Sequence, residues 1–485
     1  MMDIGSRREV FWDDCLIDRE KTTAKLMMHR PVKKELVLTL DKFREPIGVS
    51  YPHCIFLNGM YYMYYITSVD MPDGSVKRTV SLLKSADFKN WERPEVGIVE
   101  YNGNCNNNFL VAEHQVGDLK VECDNFFAFV DENPDCPENE KIKATFMCSD
   151  ASKTFPDDRE LWCFTSADGV RFKRSFCMMS GRDENGGIFD SLNILWYDKT
   201  DGVYKAFVRG LHDGIRDVRY AESKDLKNWS RPELISFGNG ADIPLYTNQV
   251  QRYYRAPHMY IGMPTRYVER KAWTPNFDQL GGTENARKRK QIMAETEPRS
   301  GLAVTDCVFM SSRDGLVWNR FDEMFMGPGM EHRRNWYYGD SSYPMYNILE
   351  TPCEPPSECT ELSLFMHEGH RTGEGAFLYR YALRLDGFAS YHSDFHESIV
   401  VTKPFTFSGK TLHLNFETSA IGYVFVDILD KDGNTLSESS ELFGNTTDRT
   451  VYFGDSPDVS AFAGTEIRLR FRMSDADIYS FIFEE

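Results

Sequence analysis

Four acidic residues, Glu45, Asp190, Asp306 and Glu368, fall where predicted strands begin or end. Two carboxyl groups brought together at such points can do general acid–base work on a carbon–oxygen bond. One protonates the leaving oxygen, and the other serves as nucleophile or as base for water. Glu368, flanked in His367-Glu368-Gly369-His370, is the candidate acid. Asp190 is the candidate base, nucleophile or transition-state stabiliser, with Glu45 and Asp306 as reserves. Arg209, Arg266, Asn108, Asn248, His258 and His367 carry the guanidinium, amide and imidazole groups that bind hydroxyls, a carboxylate or a sulfate. Each also has a structural reading. An aspartate at a strand start can simply accept turn N–H groups, and Glu368 can pair with an arginine.

Metal is not expected. His367-x-x-His370 and His392-x-x-x-His396 lie in strand-and-loop sequence, where neither spacing puts both rings on one face. Asp430-Lys-Asp-Gly-Asn434 reads as a hairpin turn rather than a calcium loop, because the distal glutamate is missing. No cofactor is called for.

The elements that position these residues come from a repeat. Ser85-Ala-Asp87-Phe-Lys-Asn-Trp91 recurs at Ser166–Phe172, Ser223–Trp229 and Ser312–Trp318, with a degenerate copy at Leu385-Asp386-Gly387-Phe388. The aspartates are 81, 57, 89 and 72 residues apart, room for one four-stranded blade each time. Ser and Asp accept backbone N–H bonds in a tight turn, and the aromatic packs between sheets. Five such units predict an all-β chain: a five-bladed β-propeller over residues 1–389, then a β-sandwich over 390–485. In the sandwich, His413–Glu417 and Ile467–Met473 alternate strictly. A polar helical insertion is expected at about 281–299 as a lid or brace, and Pro352–Cys359 as a Pro-rich loop.

In antiparallel blades the starts of the inner strands and the ends of the second strands share one side, so a pocket belongs there on the axis. Strand starts contribute Glu45, Tyr51, Asn106 to Asn108, Asp124, Asp190, Thr247, Asn248 and Asp340. Second-strand ends contribute Arg209, Arg266 and His367 to His370, and Asp306 opens a third strand facing the same way. The repeat aspartates fall on the far side.

A formal net charge of −18 argues against nucleic acid or an anionic membrane as partner. The N-terminus lacks the apolar stretch of a secretory signal, so a cytoplasmic location is expected. The eleven cysteines, without a Cys-x-x-Cys pair, read as free thiols, many of them buried.

Repeated Ser-x-Asp-Gly-x-x-Trp turns, acidic inner-strand starts and a trailing sandwich resemble the five-bladed propeller glycoside hydrolases of families 32, 43 and 68. Phe189-Asp190-Ser191 resembles the Arg-Asp-Pro element of families 32 and 43. The resemblance implies a divergent glycosidase acting on a terminal sugar or short oligosaccharide. Tyr51-Pro52 stands where those families place a blade-one aspartate, and Arg255-Ala256-Pro257 where their blade-four glutamate sits. Those departures keep two alternatives open: a non-catalytic carbohydrate-binding propeller, and a sialidase-like or lyase enzyme on the same scaffold. The sequence does not fix the oligomeric state.

Overall fold

A computed structural model describes residues 2–485, apart from 72, 117, 151–158, 182–187, 296, 338–342 and 354–358. Five separate sheets follow one another as blades, each starting with its inner strand. Blade I is Ser50–Leu57, Met60–Asp70, Val76–Ser85 and Phe109–Ala112. Blade II is Leu119–Val130, Ile142–Asp150, Glu160–Ser166 and Lys173–Ser180, with His114–Val116 added at its edge. Blade III is Ile194–Asp198, Val203–His212, Ile215–Ser223 and Glu233–Leu234. Blade IV is Gln251–Tyr253, Ala256–Gly262, Met310–Ser312 and Trp318–Arg320. Blade V is Leu349–Pro352, Thr360–Glu368 and Ala376–Arg384, completed by Val32–Leu40. The ring is thus closed by an N-terminal strand that pairs into the last blade as its outer strand.

The repeat turns are local hydrogen-bond devices, as their residue types predict. One oxygen of Asp87, Asp168, Asp225 and Asp314 accepts N–H bonds of 2.7–2.9 Å from the residues two and three further on. The residue after each aspartate takes positive φ, whether it is Phe88, Gly169, Leu226 or Gly315. That residue also packs on the preceding blade. Phe88 sits 4.4 Å from Phe365 of blade V, and Tyr64 of blade I donates to the Gly169 carbonyl of blade II at 2.8 Å. A Cβ at Gly169 would lie 2.8 Å from the Tyr64 hydroxyl, on a fully buried ring, at φ +69°. Gly169→Ala is therefore expected to cost about 2–3 kcal/mol, from left-handed strain and the displaced hydrogen bond. Gly214→Ala, at φ +78° with open space around it, should cost only the strain, about 1 kcal/mol. Urea-unfolding midpoints of the two variants compare these costs.

Two expectations about boundaries are corrected. Met2–Asp3, Glu9–Val10 and Lys25–Met28 pair into the C-terminal sheet, so these three are not blade strands, although Trp12, just after the second, packs against Tyr253 and Phe309. That ten-stranded sheet runs its two longest strands, Thr411–Asp430 and Ile467–Glu484, against each other round an apolar core of its own. It fills the place of the expected sandwich. Asp306 does not open a third blade strand. It lies on Ala303–Cys307, which pairs with Thr265–Glu269 as a separate two-stranded ribbon projecting from blade IV. The ribbon carries three helices: α1 (Pro275–Gln279), α2 (Thr283–Glu295) and α3 (Pro298–Leu302). Buried Arg289 anchors α2, donating to the carbonyls of Gly301, Ala303 and Trp336.

Five of the cysteines, Cys54, Cys123, Cys148, Cys163 and Cys307, are buried. Cys353 and Cys359 differ from a buried thiol, meeting at 2.8 Å at the base of the Pro-rich loop. Among the described residues no helix is long and apolar enough to cross a membrane.

Candidate active site

Three loops entering inner strands carry a non-glycine residue in the left-handed region: Tyr51 (φ +50°), Phe189 (φ +55°) and Gln249 (φ +42°). Such backbone is uphill by about 1–3 kcal/mol each and persists only where the surroundings fix it. Here buried polar groups do so. The His53 ring bonds the Tyr51 carbonyl at 3.0 Å, the Asn193 amide holds the carbonyls of Phe189 and Ser191, and Gln249 donates to Pro344. All three loops open toward the same end of the propeller.

A cavity of about 470 Å³ occupies that end. Its walls come from Tyr51 and Arg78 of blade I, Asp124 in the middle of the blade II inner strand at its register shift, Tyr246 before blade IV, and His370 to Gly373 after the second strand of blade V. One face of α2 roofs it with Arg287, Lys288, Gln291, Ile292 and Glu295, a spacing of about one helical turn. The insertion, expected as a lid or brace, thus covers the cavity and also lines it.

The carboxyl groups here are Asp124, ion-paired with Arg78, and Glu295 on the roof. Asp190 stands beside the cavity, half-exposed and 3.3 Å from Arg159. It connects to the wall through Arg209, which feels its charge and donates to the Tyr246 carbonyl at 2.9 Å. The phenols of Tyr51 and Tyr246 hydrogen-bond at 3.0 Å. Behind them Tyr51 stacks on Tyr343, and Tyr343 meets His367 edge to face. His370 enters because Gly48 has no side chain; a Cβ there would lie 3.0 Å from the ring. Burial, and then the charges of His367, Arg371 and Arg78, draws His370 down to about 3, so its ring is neutral at neutral pH.

Of the residues singled out from sequence, Asp190, Arg209 and His367 are brought to this end. The others are engaged elsewhere. Glu368 is buried on blade V, paired with Lys33 of the same blade's closing strand and 3.4 Å from His332; it does not line the cavity. Glu45 takes a two-pronged bond from Arg93 at 2.6 and 2.7 Å, and another from Tyr65. Asp306 and Arg266 pair with each other through two bonds of 2.6 and 2.7 Å on the ribbon. Asn108 bonds Tyr65 and the Leu82 carbonyl, and Asn248 bonds the carbonyls of Leu192 and Phe207. His258 faces Glu9 of the N-terminal segment at 3.5 Å. Asp340 lies outside the described residues. Asp124, Tyr51 and His370 had their place in the strand-end list as the signal that could find them. Arg78, Tyr246, Arg371 and the α2 face had none.

On the C-terminal sheet His413, Asp448 and Glu484 also gather, but the two carboxylates take opposite ring nitrogens of His413, at 2.8 and 3.8 Å. An ion-paired histidine accounts for the cluster.

No family model and no curated protein matches the chain. Solved structures do. An N-acetylgalactosamine deacetylase from F. plautii, in complex with blood group B trisaccharide, is 11% identical, with TM-score 0.43 over 74% of this chain and 94% of that one. A family 43 arabinoxylan arabinofuranohydrolase from Bacillus subtilis is 10% identical, with TM-score 0.37 over 91% and 96%. A family 32 β-fructofuranosidase from Bombyx mori is 10% identical, with TM-score 0.41 over 97% and 95%.

Proposed function

We propose that the chain is a glycoside hydrolase whose substrate sugar enters the axial cavity beneath α2. The observation that carries this reading is the placing of three carboxyl groups round one polar cavity: Asp124 in the wall, Asp190 beside it and Glu295 on the roof. Asp124, already facing a guanidinium, suits the negatively charged role of nucleophile or base. Asp190 and Glu295 are the carboxyl groups available to protonate the leaving oxygen. The phenols and guanidinium groups around them orient hydroxyls, which lowers the entropic part of the barrier.

A second reading has a specific observation in its favour. Blade I presents Tyr51 at the start where an acid would complete a pair, and Tyr246, before blade IV, is bonded to it. A carbohydrate-binding propeller without turnover would look the same at those two points.

Incubating the protein with a panel of aryl glycosides and short oligosaccharides, neutral and charged, separates the two. Release of a reducing sugar from at least one member is the expected result. Calorimetric binding of glycans with no product from any of them would overturn hydrolysis in favour of the binding reading.

A further inference from the structure

We propose that Cys353 and Cys359 are a redox couple, two thiols that close to an exposed, reversible disulfide across the hairpin joining the inner and second strands of blade V.

The strand register sets the two cysteines opposite each other. Leu349 faces Ser363, Glu350 Leu362, Thr351 Glu361 and Pro352 Thr360, so the next rung of the ladder is Cys353 against Cys359. That rung is formed: the Cys353 N–H donates to the Cys359 carbonyl at 3.1 Å. Opposite residues of an antiparallel ladder carry their side chains on one face, and a hydrogen-bonded pair sets its Cα atoms about 5.5 Å apart. Disulfides bridge Cα separations of about 4.4–6.8 Å, so neither strand has to move. The sulfurs meet at 2.8 Å, closer than the roughly 3.5–4.0 Å at which even two carbon atoms rest.

Accessibility separates this pair from the buried thiols. Cys359 is exposed and Cys353 half-buried. Burial pushes the thiols of Cys54, Cys123, Cys148, Cys163 and Cys307 up, Cys148 and Cys163 to about 12, which withholds the reactive thiolate. The oxidant is a small-molecule disulfide such as oxidised glutathione. The Cys359 thiolate attacks one of its sulfurs, forming a mixed disulfide and releasing one glutathione thiolate. The Cys353 thiolate then attacks the Cys359 sulfur and expels the second glutathione. The oxidant is thereby reduced by two electrons to two thiols, which take up the protons that Cys353 and Cys359 gave up. The bond ties the short inner strand Leu349–Pro352 to Thr360–Glu368, the strand that runs on to the cavity wall at His370. An exposed bridge is open to reductant, so the step reverses.

Incubating the full chain with oxidised glutathione, alkylating it and weighing it tests this. The wild type should lose two alkylatable thiols and two hydrogens. Glutamate-specific cleavage after Glu354 and Glu358 cuts the chain between the two cysteines. Their fragments should nevertheless stay joined until dithiothreitol is added. Cys353→Ser and Cys359→Ser should each abolish the joined fragments, and Cys353→Ser should stop at one glutathione on Cys359. The urea midpoint of the oxidised wild type should equal or exceed that of the reduced form, as for a bond made without distorting the native hairpin. Thiols that all remain alkylatable, or glutathione left on Cys353 and Cys359 separately, would overturn the inference. So would Cys359 joined to a different cysteine, or a midpoint that falls on oxidation.

Discussion

Asp386→Asn is expected to destabilise the protein by about 3–5 kcal/mol at neutral pH, the usual effect of stripping one partner from a buried charge cluster. The side chain is fully buried where four parts of the chain meet. One oxygen accepts from Tyr253 at 2.7 Å and Arg255 at 2.8 Å, both of blade IV. The other accepts from Ser480 at 2.6 Å and Asn415 at 3.2 Å of the C-terminal sheet, with Arg8 at 3.7 Å. Its carbonyl takes the indole N–H of Trp12, whose ring is buried against Tyr253, Phe309 and Phe388. Asparagine keeps the shape and tolerates the φ of +60° found there, so the substitution removes charge without adding backbone strain. What remains is two arginines without their counter-ion.

The pH dependence has a definite sign. Burial alone would raise the Asp386 pKa, but the charges of Arg255 and Arg8 outweigh it and hold the carboxyl below its ordinary value. A carboxyl depressed in the folded state adds stability above its unfolded pKa of about 4, and that contribution is lost as pH falls through the folded value. The gap between wild type and variant, read from urea midpoints, should be widest near neutrality and close below about pH 4. Equal midpoints at pH 7, or a gap that persists in acid, would show that Asp386 does not join the propeller to the C-terminal sheet electrostatically.

What the sequence could and could not reveal follows the range of the interactions. The repeat turns were readable because their bonds reach only two or three residues, as Asp87 to Lys89 and Asn90 shows. The blade order followed from them. The closing strand Val32–Leu40 was hidden, since its partner Ala376–Arg384 lies more than 300 residues away and its own pattern is mostly exposed. In the site, the strand end at His367-Glu368 was placed correctly, but adjacent side chains on a strand point to opposite faces. His367 turns toward Tyr343, while Glu368 turns to Lys33 on the blade's own closing strand. Glu45 and Asp306 were sound as acids near the right loops, yet each had an arginine waiting that only the tertiary fold supplies. The α2 face was invisible for another reason: solvent and a polar cavity select the same residue types, so periodicity cannot separate them.

Asp124→Asn should lower kcat by about 10²–10⁴-fold on whichever glycan the wild type cleaves, as expected for losing a nucleophile or general base. Stability should barely change. The Asp124 side chain is 31% exposed and its partner Arg78 46% exposed, so the lost ion pair is worth about 0–1 kcal/mol. Glu368→Gln should behave in the opposite way, keeping turnover while destabilising the fold, because it uncouples buried Glu368 from Lys33 on the closing strand of the same blade. The crossed pattern matters more than either result alone, since a variant that merely unfolds loses both properties together. Asp190→Asn adds the third corner. If Asp190 supplies the proton, its loss should fall most heavily on substrates with poor leaving groups and lightly on aryl glycosides, whose leaving oxygen needs little protonation. Retention of more than a tenth of wild-type kcat by Asp124→Asn would remove it from the chemistry and leave Asp190 and Glu295 as the pair. Strong loss in Glu368→Gln at unchanged stability would instead return the acid to blade V, and with it the His367-Glu368 strand end.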